Sequence, residues 1–281
     1  MPCAGYKYTL SCCALIKNEQ KYLKEWLDHY INQGVEHFYL IDNGSTDNTL
    51  NIIKQYNNIT LFKDNRKHPF EQELMLNDNL LPIIKESKWS IIVDSDELMK
   101  GQHNYTIKSY IESEHCDNIS CIYVLWKMFI GKNNDITRMT DMKTRFNYDF
   151  LNDDTIHKNP HVRENMKYFL MFGKSIFRTR NIKKVRVHKQ PTRGPFFDNF
   201  HRQDVIFPDT LINTCSHINE TTLGTANIIL NHYFIKTPKA YENRMKKAKN
   251  KERGWNCPGW DYTGFVKELY NLDEKYLIEE S

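Results

Sequence analysis

WSIIVDSDEL, residues 89–98, changes character at its middle. Trp89 to Val93 is a run of apolar and β-branched residues of the kind that fills a buried strand. Asp94, Asp96 and Glu97 follow with no turn residue between, so the tip of a core strand carries a cluster of carboxylates. Packed that closely they repel one another, and the arrangement is costly unless something positive neutralises it. A solvated turn with helix-cap duty accounts for many an isolated Asp-x-Asp. A divalent cation accounts for it as well, because Mg2+ and Mn2+ take oxygen ligands and keep phosphate oxygens in their shell.

The surroundings of the stretch bear on that choice. Upstream, "YTLSCCALI" (8–16) reads as a buried strand. A helix follows over 19–33, with Tyr22, Leu23, Trp26, Leu27, Tyr30 and Ile31 on one stripe and Gly34 as its stop. "HFYLI" (37–41) is a second strand, and "DNGSTDNT" is a turn into a helix that runs to about Tyr56. "ITLF" (59–62) is a third strand, residues 70–87 are helical, and 89–93 is the fourth strand. Strands alternating with helices over short connections imply a parallel sheet with right-handed crossovers, and such sheets bind ligands beyond the carboxyl ends of their strands. Polar clusters fall at those ends: Lys17-Asn18-Glu19, Asp42-Asn43-Gly44-Ser45 and Asp94-Ser95-Asp96.

Downstream the pattern loosens. "ISCIYVLW" (119–126) is a strand, and the chain is then irregular to about 170. Strand-like pieces return at 174–178 and 184–188, followed by a loop-rich stretch over 189–226 holding Pro191, Pro195 and Pro208. A strand is expected at 227–235. Pro238 opens a basic helix to Gly254, with seven Lys or Arg and two Glu between 238 and 253, a solvated face suited to lining a phosphate mouth. No repeat or low-complexity linker divides the chain.

A chain of 281 residues with 40% hydrophobic content fills one α/β domain with additions. Basic and acidic residues nearly balance, 39 against 35, so the formal charge of +4 gives no case for nucleic acid. Cysteine is present seven times but in no CxxC pair or Cys/His ladder, and Cys12 and Cys13 sit in an apolar run as small hydrophobes. "MPCAGYKYTL" lacks the basic and apolar regions of a secretion signal, and no apolar run reaches the ~20 residues of a spanning helix. The five Asn-x-Ser/Thr sites, from Asn43 to Asn219, are chance in an Asn-rich chain. A soluble cytoplasmic protein without an integral membrane segment is expected.

"IKNEQKYLKEWLDHYINQGVEHFYLIDNGSTDNT" followed by "VDSDE" resembles the nucleotide-sugar half of GT-A glycosyltransferases, family 2-like enzymes included. "VLWKMFIGKNN", "MKTRFNY", "GKSIFRTRNIKKVRVHK" and "LNHYFIKTPKAYENRMKKAKNKERG" are more similar to glycosyltransferase family 92. The resemblance covers roughly residues 9–255. It implies the GT-A fold, a Rossmann-like α/β architecture with a mostly parallel central sheet flanked by helices, a loop-rich acceptor half and a C-terminal helical extension. Residues 1–255 would form the glycosyltransferase domain, with 8–118 as its nucleotide-sugar half and 119–235 as its acceptor half. Residues 236–281 would form the extension. The implied reaction is metal-dependent, with Mn2+ or Mg2+. It moves a sugar from a UDP-sugar (galactose favoured, xylose and glucose open) to a hydroxyl of an oligosaccharide or glycoprotein glycan, with inversion. The lack of an anchor suits a bacterium or a large virus better than the Golgi.

The resemblance also implies residue roles. Asp96 binds the metal, and Asp94, with Ser95 beside it, faces the donor ribose or the metal. Glu97 supports the cluster or faces the acceptor. His188, at the end of "VRVH", is the further metal ligand, with His232 in "LNHYF" as rival. Asp42 or Asn43 reads the uracil, and Asn18 and Glu19 border the same pocket. Many relatives carry two acidic residues where this chain has Asp42-Asn43. Ser45 and Asp47 cap a turn. Arg66 and Lys174 are candidate phosphate contacts. Inversion needs a base, and Asp153 or Asp154 in "NYDFLNDDT" is the carboxylate put forward. Trp255 and Trp260 either stack on a sugar or pin the extension. A sugar-nucleotide pyrophosphorylase would need a Gly-rich loop where "ALIKNEQKYL" stands. A catalytically silent glycan-binding protein of the same fold is the other alternative.

Overall fold

The computed structural model describes residues 5–66, 71–113, 116–150, 153, 155, 170, 172–180, 182–191, 196–198, 218–249 and 262–280. Its first part alternates as the sequence predicts: β1 (Tyr8–Ile16), α1 (Leu23–Asn32), β2 (His37–Asp42), α2 (Thr49–Ile53), β3 (Ile59–Lys63), α3 (Gln72–Leu80) and β4 (Ser87–Ile92). Helix α1 starts later than its apolar stripe implies. Residues 19–22 form a turn instead, in which Tyr22 and Leu23 both donate to the Glu19 carbonyl. Leu23, Trp26, Leu27 and Tyr30 are the buried face of α1. Gly34 ends it at φ 87, where a side chain would also strike Lys108. The helix expected over 70–87 ends at Leu80, because Pro82 cannot continue the ladder. A 3-10 turn over Ile84–Glu86 carries the chain into β4.

The rest is β5 (Glu97–Gly101), α4 (Ile107–Ile111), β6 (Cys121–Ile130), β7 (Thr144–Phe146), β8 (Gly173–Arg178), β9 (Phe196–Asp198), α5 (Glu220–Thr225), β10 (Ile228–Ile235), α6 (Pro238–Lys249), α7 (Tyr262–Tyr270) and β11 (Leu277–Glu279). The sheet runs β11-β7-β6-β8-β4-β1-β2-β3. Its β3-β2-β1-β4 half is wholly parallel. Beyond β4, strand β8 enters antiparallel and is followed by β6, also antiparallel to it. The sheet as a whole is therefore mixed: the half that precedes residue 93 is parallel throughout, and the rest combines antiparallel pairs with the parallel pairings of β6 to β9 and β10.

Strand β6 serves two neighbourhoods. Its first half, Cys121 to Leu125, lies against β8, and its second half lies parallel to β10, which also pairs antiparallel with β5. Strand β11 closes the far edge on β7. The piece expected as a strand over 184–188 is not one. There Val185 N–H donates to the Asn77 side chain and Arg186 N–H to the Gln190 side chain, so side chains take the bonds a neighbouring strand would need.

The main core lies where α1 packs on the sheet. Trp26, fully buried, meets Tyr30 edge-on at 4.8 Å and Phe38 at 5.7 Å between ring centroids. Among the described residues no helix is long and apolar enough to cross a membrane.

Candidate active site

The acidic tip of β4 is a turn fixed from several directions. Val93 N–H makes the last ladder bond, to the Cys13 carbonyl. The Asp94 carbonyl accepts from Glu97 N–H within the turn and from the Trp26 indole of α1 at 3.1 Å. The Asp96 carbonyl accepts from Tyr233 N–H at 2.8 Å. Tyr30 of α1 donates its hydroxyl proton to the Glu97 carbonyl and accepts from Met99 N–H, each at 3.0 Å. The turn is thus held by the main helix on one side and by β10 on the other, and pairing of β5 with β10 sets His232 opposite Glu97.

Glu97 points into the protein. It is fully buried, accepts from Asp94 N–H at 2.7 Å and from the Trp126 indole at 2.7 Å, and so supports the cluster. Burial pushes its pKa up, opposed by Lys174. Lys174 is also fully buried, with Nζ 2.9 Å from Asp94 Oδ2, 3.3 Å from the Val187 carbonyl and 3.6 Å from Glu97 Oε2. Burial alone would raise Asp94, but the Lys174 ammonium holds it below the usual carboxylate range. Asp96 behaves alike: burial works against its charge, yet Lys236 and His232 hold it well below that range. His232 Nε2 lies 3.6 Å from Asp96 Oδ1, and Lys236 Nζ lies 3.7 Å from Oδ2.

His188 is set up as a neutral imidazole. Burial and the nearby Lys174 lower its pKa to about 3, and its Nδ1 lies 3.0 Å from the Gly173 carbonyl. A neutral ring donating through Nδ1 keeps a lone pair on Nε2, the tautomer a metal ligand requires. Gly173 itself is required by the close pairing of β8 with β6, because a Cβ there would lie 2.0 Å from the Val124 carbonyl. Trp126 stands between the two histidines, 5.6 Å from the His188 ring and 4.2 Å from the His232 ring. Among the described residues no group of three His, Cys, Asp or Glu side chains converges on a common point as a ready cage for an ion.

The other strand ends converge on the same rim. Ser95 donates to the Glu19 carboxylate at 2.7 Å, which joins the first polar cluster to the acidic turn. Asn18, in the left-handed region at φ 56, accepts from Thr46 N–H, while its own N–H donates to Ser45. The Asp42 carboxylate accepts from Ser45 N–H. Asn43 is buried, and its amide donates to the Asp64 and Arg66 carbonyls at 2.6 and 2.8 Å. Arg66 is gripped by Asp64 and Asp78, so its guanidinium serves carboxylates in this structure. Asp47 caps Thr49 and Gln20.

Asp153 accepts from Thr155 N–H at 2.7 Å. Asp149, from the same sequence motif, accepts from Glu220 N–H at the start of α5. Asp154, Trp255 and Trp260 lie outside the described residues.

The fold brings to this place two residues that sequence reasoning did not single out, Trp126 and Lys236, and also Arg244 from the basic helix expected to line a phosphate mouth. Arg244 adds its positive field at Asp96 and donates to the Phe234 carbonyl at 3.0 Å. Lys236 stands just past the end of β10, beyond a register irregularity between Tyr233 and Ile235, and its ammonium nevertheless lies beside the acidic turn with His232.

The sequence model of Glycosyltransferase family 92 matches residues 7–255. No curated protein matches the chain. Among solved structures, the chain is similar to S. aureus TarS 1-349 in complex with UDP, at 19% identity and a TM-score of 0.38, over 61% of this chain and 47% of that one. It is similar to glucosyl-3-phosphoglycerate synthase from Mycobacterium tuberculosis in complex with Mn2+, UDP and phosphoglyceric acid, at 12% identity and a TM-score of 0.34, over 63% of this chain and 57% of that one. It is also similar to HddC from Yersinia pseudotuberculosis, at 11% identity and a TM-score of 0.34, over 73% of this chain and 98% of that one. The matched part is 47% of the length of the TarS chain.

Proposed function

The chain belongs to glycosyltransferase family 92, and on that premise we propose that it uses a UDP-sugar and a divalent cation, Mn2+ or Mg2+, to glycosylate a glycan hydroxyl with inversion. The observation that carries this reading is the acidic turn between β4 and β5. It sets Asp94 and Asp96 at the carboxyl end of the parallel half-sheet, beside Glu19, His188, His232 and Lys236.

The donor set fits a hard cation. Asp96 is held ionised, Asp94 exposes 39% of its side chain, and His188 offers an unprotonated Nε2. Mg2+ and Mn2+ bound with phosphate need only one or two protein carboxylates, the remaining positions going to water and phosphate oxygens, so a full protein cage is not required. Asp96, Asp94 and His188 would hold the ion. A cation held there would supply Lewis-acid stabilisation of the charge that builds on a leaving diphosphate.

The chain's own residues do the rest. Lys236 and Arg244 bring positive charge to the side of Asp96 where the diphosphate would lie, which favours departure of the leaving group. Asn18, Glu19 and Asp42 form the rim on which the base and ribose would lie. For the acceptor proton, Asp153 and Asp154 are the proposed bases. The donor sugar follows family resemblance, galactose first, with xylose and glucose open.

Thermal melting with UDP, GDP and CMP, each with and without Mn2+, tests the reading. Stabilisation by UDP that requires Mn2+ is the expected result, since a ligand that binds only the folded chain raises its melting temperature. An equal response to all three nucleotides, or none to any, would overturn it.

A further inference from the structure

Lys174 was expected to touch phosphate, and its surroundings leave it no means to do so. It sits on β8 opposite Val124 of β6, in the middle of the sheet, and none of its side chain reaches solvent. An ammonium has three protons to give. Three acceptors surround this one: Asp94 Oδ2 at 2.9 Å, the Val187 carbonyl at 3.3 Å and Glu97 Oε2 at 3.6 Å. Of the three, only Asp94 reaches the open site. Its Oδ1 accepts no hydrogen bond among the described residues, and 39% of the side chain is exposed.

Glu97 is the counterweight. Its two oxygens take the Asp94 N–H and the Trp126 indole N–H, so one buried carboxylate ties the backbone of the acidic turn to the ring that separates His188 from His232. The loop that carries His188 is tied in from the other side, since its Val187 carbonyl accepts from the same ammonium. Lys174 therefore links three parts of the site that are remote in sequence: the turn at 94–97, strand β8 and the loop before His188.

We propose that Lys174 is a positioning residue, an internal cation that fixes one oxygen of Asp94 and turns the other toward the donor while anchoring the His188 loop, and that it contacts no donor atom itself. Glu97 keeps the ammonium in place. The consequence for donor binding rests on the function proposed above; the positioning of Asp94 does not.

The test uses the full chain with Lys174→Met and Glu97→Gln combined, so that neither charge is left buried without its partner. A crystal structure of this double variant without ligands is expected to show the Asp94 carboxylate turned from its wild-type rotamer and the Val187–His188 segment displaced. Unchanged positions for both would overturn the proposal, whatever the protein binds. Calorimetry with UDP and Mn2+ adds a cycle with Asp94→Asn. The double variant should bind about ten-fold more weakly than wild type, and adding Asp94→Asn to it should cost no more than about two-fold, because residues that act through one another are not additive. Independent, multiplying losses would mean that Lys174 touches the donor directly, and would overturn the proposal. A wild-type chain that ignores UDP would sink the donor reading and leave the crystallographic result to decide this one.

Discussion

The rim at the ends of β1 and β2 and the acidic turn at the end of β4 are built from similar residue types, and they differ in what their polar groups face. At the rim, polar groups largely satisfy one another. Asn18 exchanges hydrogen bonds with Ser45 and Thr46, Asn43 clips the backbone at Asp64 and Arg66, and Arg66 is neutralised by Asp64 and Asp78. At the turn, Asp94, Asp96 and Glu97 share a confined space with Lys174, Lys236 and two histidines, and burial works against every carboxylate charge there. The first arrangement spends polarity on shape. The second holds charge in a place where it is costly, which structures retain mainly where a ligand or a reaction requires it.

The largest test of that contrast is Asp96→Ala. Transfer, read as kcat/KM, should fall by about a hundred-fold or more, as removal of a group that stabilises developing charge does. The melting temperature without ligand should hardly move. A large loss of stability with modest loss of activity would put Asp96 among the shape-giving residues instead.

Trp26→Ala follows, since Trp26 both fills the core and holds the Asp94 carbonyl. Denaturant titration should show a loss of ~3–5 kcal/mol, the usual cost of emptying a large buried aromatic site. A loss near zero would mean that the packing of α1 does not support the turn.

Asn43→Ala separates the two possible readers of the base. With its amide committed to two carbonyls, its removal should cost about 1–3 kcal/mol of stability by leaving buried acceptors unpaired. The preference for UDP over GDP in thermal melting should persist. If that preference disappears while stability holds, Asn43 reads the base and the rim is not simply a scaffold.

Asp78→Ala is the smallest effect expected. The Arg66–Asp78 pair is exposed, with Asp78 at 62%, and pairs of that kind are worth ~0–1 kcal/mol. Calorimetric titration of UDP should be unchanged. Tighter UDP binding would show that Asp78 withholds Arg66 from phosphate.

Legibility in the sequence followed the same divide. From β1 to β4 each element announces itself locally, by a β-branched run, a helical stripe, a glycine stop or a capping turn, and the parallel order follows from the alternation. The acidic turn was legible for the same reason, as the tip of the last of those strands. Strand β5 was not: Glu97-Leu98-Met99-Lys100-Gly101 is short, opens on a carboxylate and closes on Lys-Gly, and it is a strand because β10 pairs with it. The partners of Lys174 and Arg66 were also hidden. A lone cation in a sequence reveals its charge, whereas the carboxylate it meets depends on strand order and on helix placement far along the chain. The family resemblance named His188, and the structure supplies what a motif lacks, the Gly173 carbonyl that fixes its tautomer.

Trp26 and Tyr30 sit one helical turn apart on α1, and each spends its only side-chain polar hydrogen on a carbonyl of the acidic turn. This makes the ten-residue helix a fuse. Loosening of its seat on the sheet would slacken the acidic turn at the same moment, because two of the turn's carbonyls are held from that one helix. Efforts to harden the protein against heat would then begin at the contacts of α1.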